Sequence, residues 1–248
     1  MLSTHRLGAR FGSRQVLRDV TLPPCHGGEV VAVIGPNAAG KSTLFRRIAA
    51  ILPGPGDCRL EGVRDIDGAI AYMPQDQMGG AVLTVFESVL LARKQVSGWR
   101  LAQHDLVAVD RTLTALDIGG LANEILSELS GGPRQLVGLA QCLAREPRVL
   151  LLDEPTSALD MHRQLEAMRR VRSLARDSGM LVLIALHDLN LALKFADKVA
   201  ILSGGTLHDF GPAAEVLTPE NLAVTFRIKA RVEPCSQGKP QLIVDDAI

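Results

Sequence analysis

The eight residues Gly35-Pro36-Asn37-Ala38-Ala39-Gly40-Lys41-Ser42 are the first in the chain whose types and spacing suggest chemistry. They match G-x-x-x-x-G-K-[ST], follow the apolar run Val30–Ile34 and open a helical pattern, which is the context this motif requires. The backbone N–H groups of Ala38, Ala39, Gly40, Lys41 and Ser42 are expected to turn inward around phosphates, helped by the helix N-terminus. Lys41 would reach the β- and γ-phosphates, the Ser42 hydroxyl would ligate Mg2+, and Thr43 continues the loop into the helix. A second stretch, Val149–Leu152, is an apolar strand ending in Asp153 and Glu154. Ligands of open α/β sheets bind beyond the carboxyl ends of the strands. Asp153 is therefore expected to face the Mg2+ shell, and Glu154 to act on an attacking water, either as a base or by orienting it.

A third stretch, Leu129-Ser130-Gly131-Gly132-Pro133-Arg134-Gln135, lies just before an amphipathic helix in which Leu136, Leu139, Ala140 and Leu143 recur at helical spacing. Two glycines leave backbone N–H groups exposed, and Pro133 suits a first helical turn, where its missing N–H has no partner to lose. This is a second anion-binding helix start in one chain. A single nucleotide does not need two such loops, so each loop is expected to serve a different nucleotide, shared between two copies of the chain.

These stretches need a scaffold. Val30–Ile34, Ala69–Tyr72, Val149–Leu152, Met180–Leu186 and Val199–Leu202 read as strands, several apolar throughout, as in parallel sheets buried on both faces. Ser42–Ala50, Pro133–Arg145, Gln164–Arg176 and Leu189–Ala196 read as the helices between them, which predicts a parallel sheet covered on both sides. Leu7–Phe11 and Val16–Leu22 look like antiparallel strands, Val85 to Leu129 carries only helical patterning, and residues 206–248 read as a tail after the last strand. Lys+Arg and Asp+Glu both number 27, so no basic field exists to gather nucleic acid, and aromatics at 3% give no stacking platform for single strands. Cys25, Cys58, Cys142 and Cys235 form no CxxC and have no histidine at zinc-ligand spacing; they read as reduced thiols of a protein in a reducing compartment. No apolar run approaches the roughly 18 residues that span a bilayer, and the N-terminal residues lack a signal-peptide core. Any work at a membrane would be done by docking on other subunits.

Leu129–Gln135 resembles the LSGGQ signature of ABC ATPases, and the resemblance extends over nearly the whole chain, from Leu2 to Val232. It implies an α/β fold: a RecA-like P-loop NTPase core with an antiparallel N-terminal β-subdomain and a helical subdomain. The implied division is a core of residues 1–84 and 130–205, a helical subdomain of 85–129 and a C-terminal tail of 206–248. ATP and Mg2+ are the implied cofactors, and Gly35, Asn37 and the rest of the loop through Thr43 the implied phosphate cradle. Phe11 stands where the family has its adenine-stacking aromatic, with a core position as the alternative. Gln75 resembles the glutamine that senses Mg2+ and contacts the membrane partner; Asp160, in Ser157-Ala158-Leu159-Asp160, resembles the D-loop aspartate; His187 resembles the switch histidine at the γ-phosphate. Ser130, Gly131, Gly132 and Gln135 would act on the nucleotide of a second subunit. Departures from the family pattern are Ala38 at a common glycine position, Pro133 and Arg134 at variable signature positions, and a short segment between Lys41 and Gln75.

What the resemblance implies is a homodimer of ATPase subunits, closing on ATP and opening after hydrolysis, coupled to transmembrane permease subunits and served by a substrate-binding protein. Its place would be the cytoplasmic face of the inner membrane, held peripherally, with no nucleic acid involved. Asp188–Leu193, Gly211–Leu222 and Phe226–Val232 resemble the ATPases of importers for iron–siderophore complexes, haem and vitamin B12. Ferric chelates come first, cobalamin next, and zinc or manganese after them. The rivals are a soluble ABC ATPase of DNA repair or translation, a P-loop kinase and an exporter ATPase. The absence of a second ATPase half, the presence of Leu129–Gln135 and the lack of membrane spans speak against them in turn.

Overall fold

Runs without polar residues become the centre of one sheet. The structure is a computed structural model and describes residues 1–63, 68–75, 82–98 and 100–248. In chain order, β1 (Leu2–His5), β2 (Leu7–Phe11), β3 (Arg14–Val20) and β4 (Val30–Ile34) precede α1 (Lys41–Ile48), and β5 (Asp57–Leu60) and β6 (Ile70–Met73) follow it. Next come α2 (Val85–Ser97), α3 (Gln103–Ala115), two short 3-10 turns, α4 (Gly131–Leu143), β7 (Val149–Asp153), α5 (Met161–Ser178), β8 (Leu181–Ala185), α6 (Leu189–Phe195) and β9 (Lys198–Ser203). Then β10 (Thr206–Pro212), α7 (Ala213–Val216), α8 (Pro219–Phe226), β11 (Ile228–Pro234) and β12 (Pro240–Ala247) complete it.

The main sheet has the order β10-β9-β4-β8-β7-β6, parallel from β9 to β6 and antiparallel at the β10 edge. Every residue of β4, β7 and β8 is buried, because both faces of the sheet are covered. The two-residue period of a strand divides each between two cores. Val30, Ala32, Ile34, Leu150, Leu152, Val182 and Ile184 pack with Val137 of α4, Met168 of α5 and Leu191 of α6. Val31, Val33, Leu151 and Leu183 pack with Leu44, Phe45 and Ile48 of α1 and with Leu2, Leu7 and Leu17 of the N-terminal strands. Each such aliphatic or aromatic side chain contributes about 1.5–3 kcal/mol.

The N-terminal strands form two antiparallel pairs, β1 with β5 and β2 with β3. β1 and β5 escape a reading of the sequence because they are short and half polar. The expected tail also needs correction. β10 continues the main sheet as its edge, and β11 and β12 form a hairpin against α8 and α6. An edge strand tolerates the polar residues and terminal proline of Thr206–Pro212, so it lacks the apolar run by which the inner strands are recognised. The short Lys41–Gln75 segment and the 85–129 span each include residues outside the described set, 64–67 and 99 respectively.

Within 85–129, α2 opens at Val85 with a capping box between Thr84 and Glu87. α2 is tied to α3 through Asp105, fully buried, which accepts hydrogen bonds from Arg93 Nε at 2.9 Å and Lys94 Nζ at 2.8 Å. Arg93 also donates to the Ala144 carbonyl, joining the pair to the end of α4. On the opposite face, Arg47 replaces regular structure as an organiser: its guanidinium donates to the carbonyls of Leu52, Gly54, Pro55 and Gly56.

Candidate functional site

Parallel pairing brings the carboxyl ends of β4, β8, β7 and β6 to one edge of the sheet. The loop after β4 is residues 35–40. Its tightness explains its glycines: a Cβ on Gly35 would lie 2.2 Å from the Leu202 carbonyl oxygen, and Gly40, at φ +106°, would place one 2.7 Å from Leu17 Cδ2. Ala38 sits at φ +63°, the left-handed region, where an L side chain costs about 1 kcal/mol or more. No side chain caps the start of α1. Its first amides therefore have no internal partner and suit an anion. Asn37 and Ala38 are exposed at the mouth, while Ala39 and Gly40 are buried beneath it.

Lys41 is 6% exposed, and its Nζ donates to the carbonyl of Gly35 at 2.9 Å and of Pro36 at 3.5 Å. Burial lowers the pKa of its ammonium, opposed by the negative charges of Glu154 and Asp153. Asp153 is buried at the end of β7. Its Oδ2 accepts from the Tyr72 hydroxyl at 3.1 Å, and its Oδ1 is buried without a hydrogen-bond partner. Burial raises the Asp153 pKa, with the Ser42 and Tyr72 hydroxyls working against that rise. Glu154 follows in the left-handed region at φ +53° and turns its carboxylate across the strand ends. Its Oε2 accepts from Gln75 Nε2 at 2.8 Å, and its Oε1 is in hydrogen-bond contact with His187 Nε2. The pairing of Asp153 with Ala185 puts the two strand ends level, so His187, two residues past β8, meets Glu154. Phe11, at the end of β2 and paired with Arg14, is 47% exposed and is not a core residue.

A chain with this loop, this carboxylate pair and this histidine matches the family model described as ABC transporter over residues 18–157. It is 38% identical to a hemin import ATP-binding protein of Pseudomonas entomophila, covering 98% of this chain and 99% of that one. This chain belongs to the ABC transporter ATPases. An ABC transporter ATP-binding protein of Methanocaldococcus jannaschii is 35% identical, covering 94% of both chains. The iron(3+)-hydroxamate import ATP-binding protein of Bacillus subtilis is also 35% identical, covering 93% of this chain and 89% of that one. A metal-chelate type ABC transporter in an inward-facing conformation superposes with a TM-score of 0.86 at 27% identity, covering 100% of this chain and 97% of that one. The fold is thus the RecA-like ABC cassette, and ATP is its nucleotide.

In this ABC ATPase the signature residues are distributed differently from a simple nucleotide-contact set. Ser130 and Gly131 are exposed at the start of α4, and the Ser130 hydroxyl does not cap that helix. Gly132 is buried against Ala158 and Leu159. Gln135 points inward: its Nε2 donates to the Ser157 hydroxyl and the Glu154 carbonyl, and its Oε1 accepts from the Ala158 N–H. It braces the loop after Glu154, because it shares the buried face of α4 with Gly132, Leu139 and Cys142. Arg134 likewise folds back onto the Ser127 and Leu129 carbonyls. Asp160 is the N-cap of α5, accepting from the Arg163 N–H at 2.9 Å. Tyr72 is legible in the sequence only as part of a strand; its hydroxyl, next to the run that ends at Gln75, is the available signal.

Proposed function

We propose that the chain is the ATP-hydrolysing subunit of an importer for ferric siderophore or haem, working as a homodimer on transmembrane permease subunits fed by a substrate-binding protein. The observation that carries the hydrolytic part is the Glu154 carboxylate held between Gln75 and His187, at the strand edge that also presents Lys41. In that reading Lys41 leaves the Gly35 and Pro36 carbonyls for the β- and γ-phosphates, and the amides from Ala38 to Thr43 cradle them. Glu154 aligns or deprotonates the attacking water and His187 holds the γ-phosphate. Gln75 turns to the metal and the permease. Phe11 stacks on adenine. Ser130, Gly131 and Gly132 serve the nucleotide of the second copy, with Asp160 beside them.

Mg2+ would be held by Ser42, Asp153 and Gln75. The fit is chemical. Mg2+ takes one or two carboxylates, keeps waters and completes its shell with phosphate oxygens. Asp153 offers one buried oxygen without a partner, and among the described residues no group of three or more His, Cys, Asp or Glu exists that could hold a metal by itself. When bound, the ion would supply positive charge that offsets the negative charge of the phosphates.

Dimeric action is supported by the resemblance at TM-score 0.76 and 25% identity to a dimeric ATP-binding cassette bound to ADP and phosphate. Peripheral attachment at the cytoplasmic face of the inner membrane accords with the observation that no helix of the described residues is long and apolar enough to cross a membrane. The cargo reading rests on relatives named for import of hemin, petrobactin and iron(3+)-hydroxamate, with one named for cobalamin. Glu154→Gln tests the chemistry. ATP binding should persist, turnover should fall about 10²–10⁴-fold, and an ATP-bound dimer should accumulate in light scattering. Near-normal turnover would reject the role. Uptake of labelled ferric siderophore, haem and cobalamin by cells lacking the gene, with and without a Lys41→Ala copy, tests the cargo.

A further inference from the structure

Tyr72 is the chain's single tyrosine, on an otherwise apolar strand. The parallel register of β6 with β7 sets Tyr72 against Leu151, on the sheet face covered by α1. Asp153 lies two residues beyond Leu151 and so projects to the same face. The Tyr72 hydroxyl donates to Asp153 Oδ2 at 3.1 Å. Burial raises the pKa of the same hydroxyl, and Arg46, in the last turn of α1, acts against that rise. A phenol has one proton and a carboxylate has only acceptors, so Tyr72 donates to Asp153. A hydroxyl polarised by a cation is a stronger donor to the carboxylate. Asp153 is left with one oxygen satisfied and the other, Oδ1, buried without a partner.

We infer that Tyr72, backed by Arg46, is a positioning residue for metal binding: it pins Asp153 Oδ2 so that Oδ1 is presented to the Mg2+ of bound ATP. This rests on the reading of Asp153 as a metal ligand. An aliphatic residue at position 72 would fill the same space against α1 but would leave Oδ2 unpaired as well. The carboxylate could then rotate, and each metal-binding event would have to select one orientation. Hydrogen-bond partners of this kind are generally worth 10–100-fold in metal affinity.

The test uses the full chain, a non-hydrolysable ATP analogue at saturating concentration, and Mn2+ as the probe, with free Mn2+ counted by electron paramagnetic resonance. Tyr72→Phe should weaken Mn2+ binding about 10-fold, and Arg46→Met should weaken it in the same direction by a smaller factor. Affinity for the analogue without metal should match the parent protein in both variants; a folding defect would lower it. Asp153→Asn is the control and should weaken Mn2+ binding more than Tyr72→Phe. If Tyr72→Phe binds Mn2+ as the parent does while Asp153→Asn does not, the positioning role is wrong and the ligand role of Asp153 stands. If Asp153→Asn also binds normally, both fall together.

Discussion

Gly40→Ala tests whether the phosphate loop owes its shape to the β2–β3 hairpin packed beneath it. At φ +106° an alanine is strained by about 1–3 kcal/mol. Its Cβ would also lie 2.7 Å from Leu17 Cδ2, and Leu17 is fully buried, so the overlap must be relieved by moving packed atoms, at about 1–3 kcal/mol. The two together come to about 4 kcal/mol, which for a chain of this size lowers Tm by about 8–16 °C. Only the second part depends on Leu17. Leu17→Ala alone should cost about 2–5 kcal/mol as a core truncation. The double variant should then fall short of the summed losses by about 1–3 kcal/mol, because the truncated side chain no longer meets the new Cβ. Denaturant unfolding of the four proteins without nucleotide measures the cycle, and ATP titration of each reports the loop itself. Strict additivity would refute the contact. A Gly40→Ala loss under about 1 kcal/mol would refute the strain argument as well.

Arg47→Ala should destabilise by about 3 kcal/mol, read in urea, because four loop carbonyls lose a charged donor; Arg47→Lys should recover less than half of it, an ammonium being unable to span them. Lys94 first, then Arg93 and the Ala102 N–H, hold the Asp105 carboxyl well below the usual range against the opposing effect of burial. A lowered carboxylate pKa stabilises above the unfolded value, so that contribution should be complete above about pH 5 and drain away as the pH falls below about 4; Asp105→Asn should flatten this acid limb in thermal melts. Asn190 holds β12 to α6 by bonding both the carbonyl and the N–H of Leu242, so Asn190→Ala should speed hydrogen exchange across β11 and β12 with Tm nearly unchanged. Phe11→Ala should leave the nucleotide-free melt unchanged, since the ring is half exposed, and weaken ATP binding by about 1–3 kcal/mol in calorimetry.

Local chemistry is readable along the chain. The Gly35–Ser42 loop, the apolar strands that carry Ala32, Leu151 and Leu183 into a buried sheet, and the glycines before α4 each announce themselves within a few residues, because turn geometry, burial on two faces and helix starts are short-range demands. The strand order is not readable. That β8 pairs β4 and β7, placing His187 beside Glu154, follows from contacts between strands roughly 150 residues and 30 residues apart, and an apolar run that announces a buried strand does not name its neighbours. The direction of Gln135, which a motif places at a nucleotide and the fold turns toward Glu154 and Ser157, depends on which side of α4 faces the core. The same holds for β1, β5 and β10: their half-polar sequences suit an edge or a short ladder only once a partner strand exists, and the partner is supplied by the tertiary structure.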